Sequence, residues 1–205
     1  MSTEVKITYI NESENHDNPQ IVVFSKNMFP TSDPLEDLIA WYVLRDIGKG
    51  SSSSFVFPIE SGVQATWEGC NKTRTLESEI GRQYTVEKDD TGIVMVAGGD
   101  ATDPKVIEVN NNVNVFGGIE AQLCKNGKVM MTKHLAGPGQ KASFVLHPKL
   151  HWGILSKVEE GQPLNSAELN TDDFFEQDLA GVSEVDVVLR GNAKDGYQFF
   201  IENQI

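Results

Sequence analysis

Val106 to Pro148 reads VIEVNNNVNVFGGIEAQLCKNGKVMMTKHLAGPGQKASFVLHP, and this stretch decides the fold class. Val106, Ile107 and Val109 form a β-branched run that stops at Asn110, Asn111 and Asn112. Ile119, Ala121 and Leu123 then alternate with Glu120, Gln122 and Cys124 as far as Lys125-Asn126-Gly127-Lys128. Asn-Gly between alternating runs signals a hairpin, because both central residues of the turn need positive φ. Gly137-Pro138-Gly139-Gln140 turns the chain again, into Phe144-Val145-Leu146. The stretch predicts an antiparallel meander.

The same pattern extends in both directions. Towards the N-terminus, Ile7 to Ile10, Ile21 to Phe24, Trp41 to Arg45, Phe55 to Phe57, Val63 to Trp67, Tyr84 to Val86 and Ile93 to Val96 are short apolar or alternating runs separated by turn residues. Towards the C-terminus, Trp152 to Leu155 looks buried, and Val185 to Leu189, the turn Lys194-Asp195-Gly196 and Tyr197 to Ile201 predict a closing hairpin. Short strands spaced by about 8 to 12 residues argue for a sandwich or barrel. The expected fold is therefore all-β: a single antiparallel β-sandwich domain over 1–205, of Greek-key or jelly-roll kind, with at most one or two short helices. Thr31 to Ala40, with Pro34 and early carboxylates, carries a helix-start signature. Leu164 to Leu179 is ambiguous between a short helix and irregular structure.

Two halves of the chain, 5–97 and 104–205, also resemble each other. Ile10-Asn11, Lys26-Asn27, Gly48-Lys49-Gly50 and Phe55-Val56 are matched by Val109-Asn110, Lys125-Asn126, Gly137-Pro138-Gly139 and Phe144-Val145. A duplication would place Asn11 and Asn110 in equivalent positions, and likewise Phe55 and Phe144, and would give the fold pseudo-twofold symmetry. The alternative is that Asn ends strands, Gly turns them and Phe-Val fills them in any β protein.

Composition narrows the functional classes. The 205 residues are 39% hydrophobic and 23% charged, as expected of a chain with a packed core. Thirty Asp and Glu against 17 Lys and Arg give a formal charge of −13, which argues against capture of nucleic acid or anionic membranes. Val158 to Asp186 holds nine carboxylates and no Lys or Arg, a solvated acidic face or a surface for cations. No apolar run approaches the roughly 18 residues of a spanning helix, and no secretory leader stands at Met1, so the expected location is the cytoplasm. Cys70 and Cys124 are too few for a disulfide framework; they are read as thiols, with a bridge within the chain or between subunits as the alternative.

Catalytic signatures are missing: there is no Gly-x-Ser-x-Gly elbow, phosphate-binding loop, dinucleotide fingerprint or Cys-x-x-Cys. His147 and His151 are four apart, about 13 Å on a straight strand, so a metal site with His134 or a carboxylate requires a bend at Pro148. Asp172, Asp173, Glu176 and Asp178 offer oxygens to Ca²⁺ but lack the spacing of a calcium loop. Trp41, Trp67 and Trp152 are either core or a ligand-stacking platform. No cofactor is expected, with Ca²⁺ or a transition metal left open. The first reading is a non-enzymatic protein acting through self-association or protein–protein contact, with Phe200, Ile205, Cys70 and Cys124 as candidate contacts and a homo-oligomer as the expected state. The second is a lectin-like or membrane-binding, pore-forming module on the tryptophans. The third is a metal-dependent enzyme of the cupin or dioxygenase kind.

Overall fold

The computed structural model describes residues 4–14, 20–29, 38–164 and 174–205. Among the described residues there are seventeen strands: β1 (Glu4–Asn11), β2 (Gln20–Phe24), β3 (Tyr42–Leu44), β4 (Ser52–Pro58), β5 (Ser61–Trp67), β6 (Asn71–Lys72), β7 (Leu76–Ser78), β8 (Arg82–Asp89), β9 (Gly92–Asp100), β10 (Ile107–Asn111), β11 (Ile119–Lys125), β12 (Lys128–Leu135), β13 (Lys141–Phe144), β14 (Lys149–Leu155), β15 (Phe175–Asp178), β16 (Glu184–Asn192) and β17 (Gly196–Glu202). The fold is all-β and of sandwich type, as expected. Most of the Thr31 to Ala40 helix signature lies outside the described residues; Leu38 at its end forms a bridge to Met131. Of the ambiguous Leu164 to Leu179 segment, the described part includes the strand β15.

The chain divides into two compact units, each discontinuous in sequence. The first comprises 1–25, 40–59 and 148–205; the second comprises 26–39 and 60–147. Two sheets form the first unit, ordered β17-β16-β1-β4 and β15-β14-β2-β3. In the second unit the orders are β13-β10-β8-β9 and β12-β11-β5-β6, with β7 pairing β5.

The central stretch is not a continuous meander. β11 and β12 form the expected hairpin through Asn126 (φ 51°) and Gly127 (φ 71°), but β10 and β13 pair with each other in the opposite sheet. The reason lies after Asn111, whose side chain accepts the Val113 N–H at 2.9 Å and turns the chain out of β10. Two pairings are also parallel rather than antiparallel, β1 with β16 and β10 with β8. Each joins strands far apart in sequence, which a hairpin pattern cannot reveal.

Within the first unit, alternation along β1 buries Val5, Ile7 and Tyr9 against the facing sheet. Trp152 on β14 is fully buried, 6.4 Å from the Tyr9 ring and 5.9 Å from that of Phe55, so these aromatics bridge the two sheets. Its Nε1 donates to Gln177 Oε1 at 2.9 Å, as a buried indole requires. Gly153 follows because the Phe174 ring lies across that position: a Cβ there would stand 2.6 Å from the ring.

Smaller residues and methionines fill the second unit. Val63, Ala65, Val86, Met95, Val109, Ala121, Leu123 and Phe144 are all buried. A register shift between Leu123 and Cys124 on β11 opposes the consecutive Met130 and Met131, and both are buried, where strict alternation would expose one. Buried Glu108 accepts from Lys141 Nζ at 2.9 Å and from the Thr102 N–H at 3.0 Å.

Candidate functional site

An edge strand presents unpaired backbone N–H and C=O groups, and proteins usually guard such edges with charge, proline, bulges or shortness. Most ends of the four sheets are guarded in this way. β3 and β6 are only three and two residues long; β12 carries Lys128, Lys133 and His134; β13 carries Lys141; β15 carries Glu176 and Asp178; and β4 opens on three serines and ends at Pro58. β17 is shielded differently. Arg190 lies 5.3 Å from the Phe200 ring centroid, while its guanidinium donates to Glu12 at 2.6 Å and Glu202 at 2.7 Å.

β9 is the exception. Gly92 to Gly99, GIVMVAGG, contains no charge and no proline, and among the described residues β9 pairs only with β8. Both ends are fixed. At one, the Asp89 carboxylate accepts the Thr91 N–H and O–H, each at 2.7 Å, and the Gly92 N–H at 3.1 Å; these bonds, led by the Thr91 hydroxyl, hold Asp89 below the usual carboxylate range. At the other, Arg82 donates to Asp100 at 2.7 Å and to the Gly98 carbonyl at 3.2 Å, beside a register shift between Arg82 and Tyr84. Between these clamps Met95 enters the core, while Ile93, Val94 and Val96 are half-buried and Ala97 is exposed. The result is a strand edge held at both ends and uncharged from Gly92 to Gly99, with Glu87 and Lys88 of β8 opposite Val94 and Ile93, and an edge of this kind can accept another extended backbone.

The residues singled out from sequence are scattered. Trp41 and Trp152 are buried in the first unit, and Trp67 is half-buried at the end of β5 in the second. His151 is buried, its ring 5.2 Å from that of Phe24 and its Nε2 3.4 Å from Glu176 Oε2. His134 is on β12, 2.7 Å from Glu120, and His147 is exposed. Among the described residues, no three His, Cys, Asp or Glu side chains gather closely enough to hold a metal ion. Asp172 and Asp173 lie outside the described residues.

Cys70 is exposed at the β5–β6 turn, and Cys124 is buried on β11, where desolvation pushes its thiol up to about 11 despite the nearby Lys72. The backbone of Ile205 is tied into the fold: its N–H donates to the Glu184 carbonyl at 2.9 Å and its carbonyl accepts the Ser183 N–H at 2.6 Å, leaving the side chain exposed. Phe200 is partly exposed under Arg190.

Two features were missed in the sequence. The pattern of Ile93 to Val96 predicts no more than an ordinary strand, although Gly92 to Gly99 is uncharged over eight residues. Phe116, 93% exposed in the loop before Gly117-Gly118, was passed over within the opening stretch. No helix among the described residues is long and apolar enough to cross a membrane. No protein-family model matches the chain, and comparison with curated proteins and with solved structures finds no match.

Proposed function

We propose that this protein is a non-enzymatic assembly protein that associates with copies of itself by adding a strand to the β9 edge. The observation that carries this reading is the uncharged run Gly92 to Gly99, clamped at both ends and paired on one side. Backbone hydrogen bonds along the edge supply affinity, and the half-buried Val94 and Val96 supply apolar contact. The net charge of −13 limits growth, because each added copy raises the repulsion. In this reading the protein works in the cytoplasm as a homo-oligomer, with Cys70 and Cys124 remaining thiols.

The test is the solution mass over a concentration series by light scattering, for the wild type and for Val94→Lys with Val96→Lys. Both lysines would fall on the outer face of β9, where charge blocks strand addition with little effect on the core. The wild-type mass rises with concentration and is unchanged by a thiol reductant, while the variant stays at 22.6 kDa. A wild type that remains monomeric throughout would sink the proposal.

Phe116 favours a second reading, a module that inserts an apolar loop tip into a lipid or sugar surface. The tryptophans do not support it, since Trp41 and Trp152 are core residues. Phe116→Ser removes vesicle or glycan binding if this reading holds.

A further inference from the structure

The two units share one wiring diagram. Reading β10, β11, β12 and β13 for β1, β2, β3 and β4, and β5, β6, β8 and β9 for β14, β15, β16 and β17, converts the sheets of one unit into those of the other, strand for strand. The parallel pairings coincide, β1 with β16 and β10 with β8. Phe55 lies opposite Ile7 as Phe144 lies opposite Ile107.

The ends of β1 and β10 agree in atomic detail. Asn11 and Asn111 are both buried, and each side-chain oxygen accepts the N–H two residues on, from Ser13 and Val113, at 2.9 Å. Each Asn N–H donates across the sheet, to Ser51 and Gln140, and each Asn carbonyl accepts a glycine N–H, from Gly50 and Gly139. The next N–H along donates to Leu189 in one unit and Val86 in the other. The equivalent of Asn11 is thus Asn111, one residue beyond the Asn110 expected from the sequence. Asn110 instead reaches Gln83 from a half-exposed position.

Chain order adds the decisive point. The first eight matched strands in sequence, β1 to β9 without β7, would complete one sandwich, and β10 to β17 a second. The structure distributes them otherwise. The first unit takes β1–β4 with β14–β17, and the second takes β10–β13 with β5–β9. Each unit is therefore built from the leading half of one repeat and the trailing half of the other, joined along a parallel seam.

We infer that the chain is a fused pair of eight-strand repeats that have traded their trailing halves, and that the β1 seam is a docking surface for the β14–β17 half of a second copy of this chain. Two bonded pairs, β14 with β15 and β16 with β17, close the first unit against β2 and β1, and the same contacts are satisfied whichever chain supplies them. This surface is distinct from the β9 edge, so the inference stands even if that edge binds nothing.

The experiment uses the full chain with Cys70→Ser, Thr8→Cys and Asp186→Cys, the last two being register partners across the seam and both half-exposed. The reduced protein is warmed through unfolding at high concentration and cooled; its dimer fraction is collected, oxidised and run on a denaturing gel without reductant. Exchange gives a band at twice the chain mass as the major product. A dimer whose cross-links all close within single chains overturns the inference, as does failure to form any dimer. Lys6→Cys with Glu184→Cys, also register partners, repeats the measurement should the first pair fail to fold. Adding Val94→Lys and Val96→Lys separates the two proposals: an edge-mediated dimer disappears and an exchanged one persists.

Discussion

Replacing Asn111 with alanine tests the equivalence of Asn11 and Asn111 most directly. Its side chain is fully buried; it accepts the Val113 N–H at 2.9 Å and donates to the Leu135 carbonyl at a long 3.5 Å. Alanine orphans a buried N–H, at about 1–3 kcal/mol, and removes a weak bond contributing less than about 1 kcal/mol, for a total of about 1–4 kcal/mol. Asn11 does more: it accepts both the Ser13 N–H at 2.9 Å and the Ser13 O–H at 2.6 Å, and donates to the Ile47 carbonyl at 2.6 Å. Asn11→Ala should therefore cost more, about 3–4 kcal/mol. Asn110→Ala is the control, since that half-exposed side chain bonds only Gln83 among the described residues and its loss costs less than about 1 kcal/mol. Urea unfolding gives the free energies, and amide exchange at Ser13 and Val113 should report the same losses locally. If Asn111→Ala lies within about 0.5 kcal/mol of wild type, or Asn110→Ala costs more than Asn111→Ala, the assignment of equivalent residues is wrong.

Other outcomes follow from buried ionisable groups. Burial pushes Lys125 down to about 8, so folding carries a penalty while this residue is charged, and the penalty disappears as pH rises from about 8 to the unfolded value near 10.5. Lys125→Met removes this penalty together with the Nζ bond to the Glu60 carbonyl, so its stability relative to wild type should be greatest at pH 7 and fall by about 3 kcal/mol towards pH 10.5; a difference that does not change with pH would contradict this. Burial raises the Glu108 carboxyl, but the bond from Lys141 and those from Thr102 outweigh it and hold it below its ordinary value. Its stabilisation is thus present above the unfolded pKa and is lost as pH falls through the folded one. Lys141→Met should cost about 1–2 kcal/mol at pH 7 and less at pH 4, as read from urea midpoints, because protonating Glu108 relieves the uncompensated charge. A thiol reagent at pH 8 should titrate Cys70 alone in the folded protein and Cys124 as well in denaturant; two reactive thiols in the native state would contradict the burial of Cys124.

Local structure was legible in the sequence because its signals are local. Alternation in Ile119 to Leu123 and the Asn126-Gly127 turn specify a hairpin by themselves, and the structure contains it. Sheet membership was not legible in the same way. Val106 to Val109 reads equally well as the neighbour of β11 or of a strand 25 residues earlier, and the choice depends on the Asn111 side chain turning the chain across the sandwich. Which candidate side chains come together was not legible for a related reason. Histidine spacing locates residues along one strand, whereas a metal site depends on which strands meet, and His134, His147 and His151 fall at one exposed strand position, one exposed position in the β13–β14 connection and one buried ring. The tryptophans followed the commoner physics of large aromatics: Trp152 fills the space between two sheets instead of facing solvent.

The matching wiring of the two units gives the unguarded β9 edge a more specific meaning. Its counterpart is β17, and the two occupy the same end of the same sheet order. One position carries Arg190 of β16 bound to Glu12 and Glu202 over Phe200; the other carries the uncharged Val94 and Val96, with Glu87 of β8 opposite Val94 and Thr85 opposite Val96. A general need to protect sheet edges would act on both positions equally, since both are long strands bonded on one side. The difference therefore belongs to β9 in particular. Lysines at positions 94 and 96 would give this edge the protection that β17 already has, which makes that pair of substitutions a sharper probe than truncating either strand.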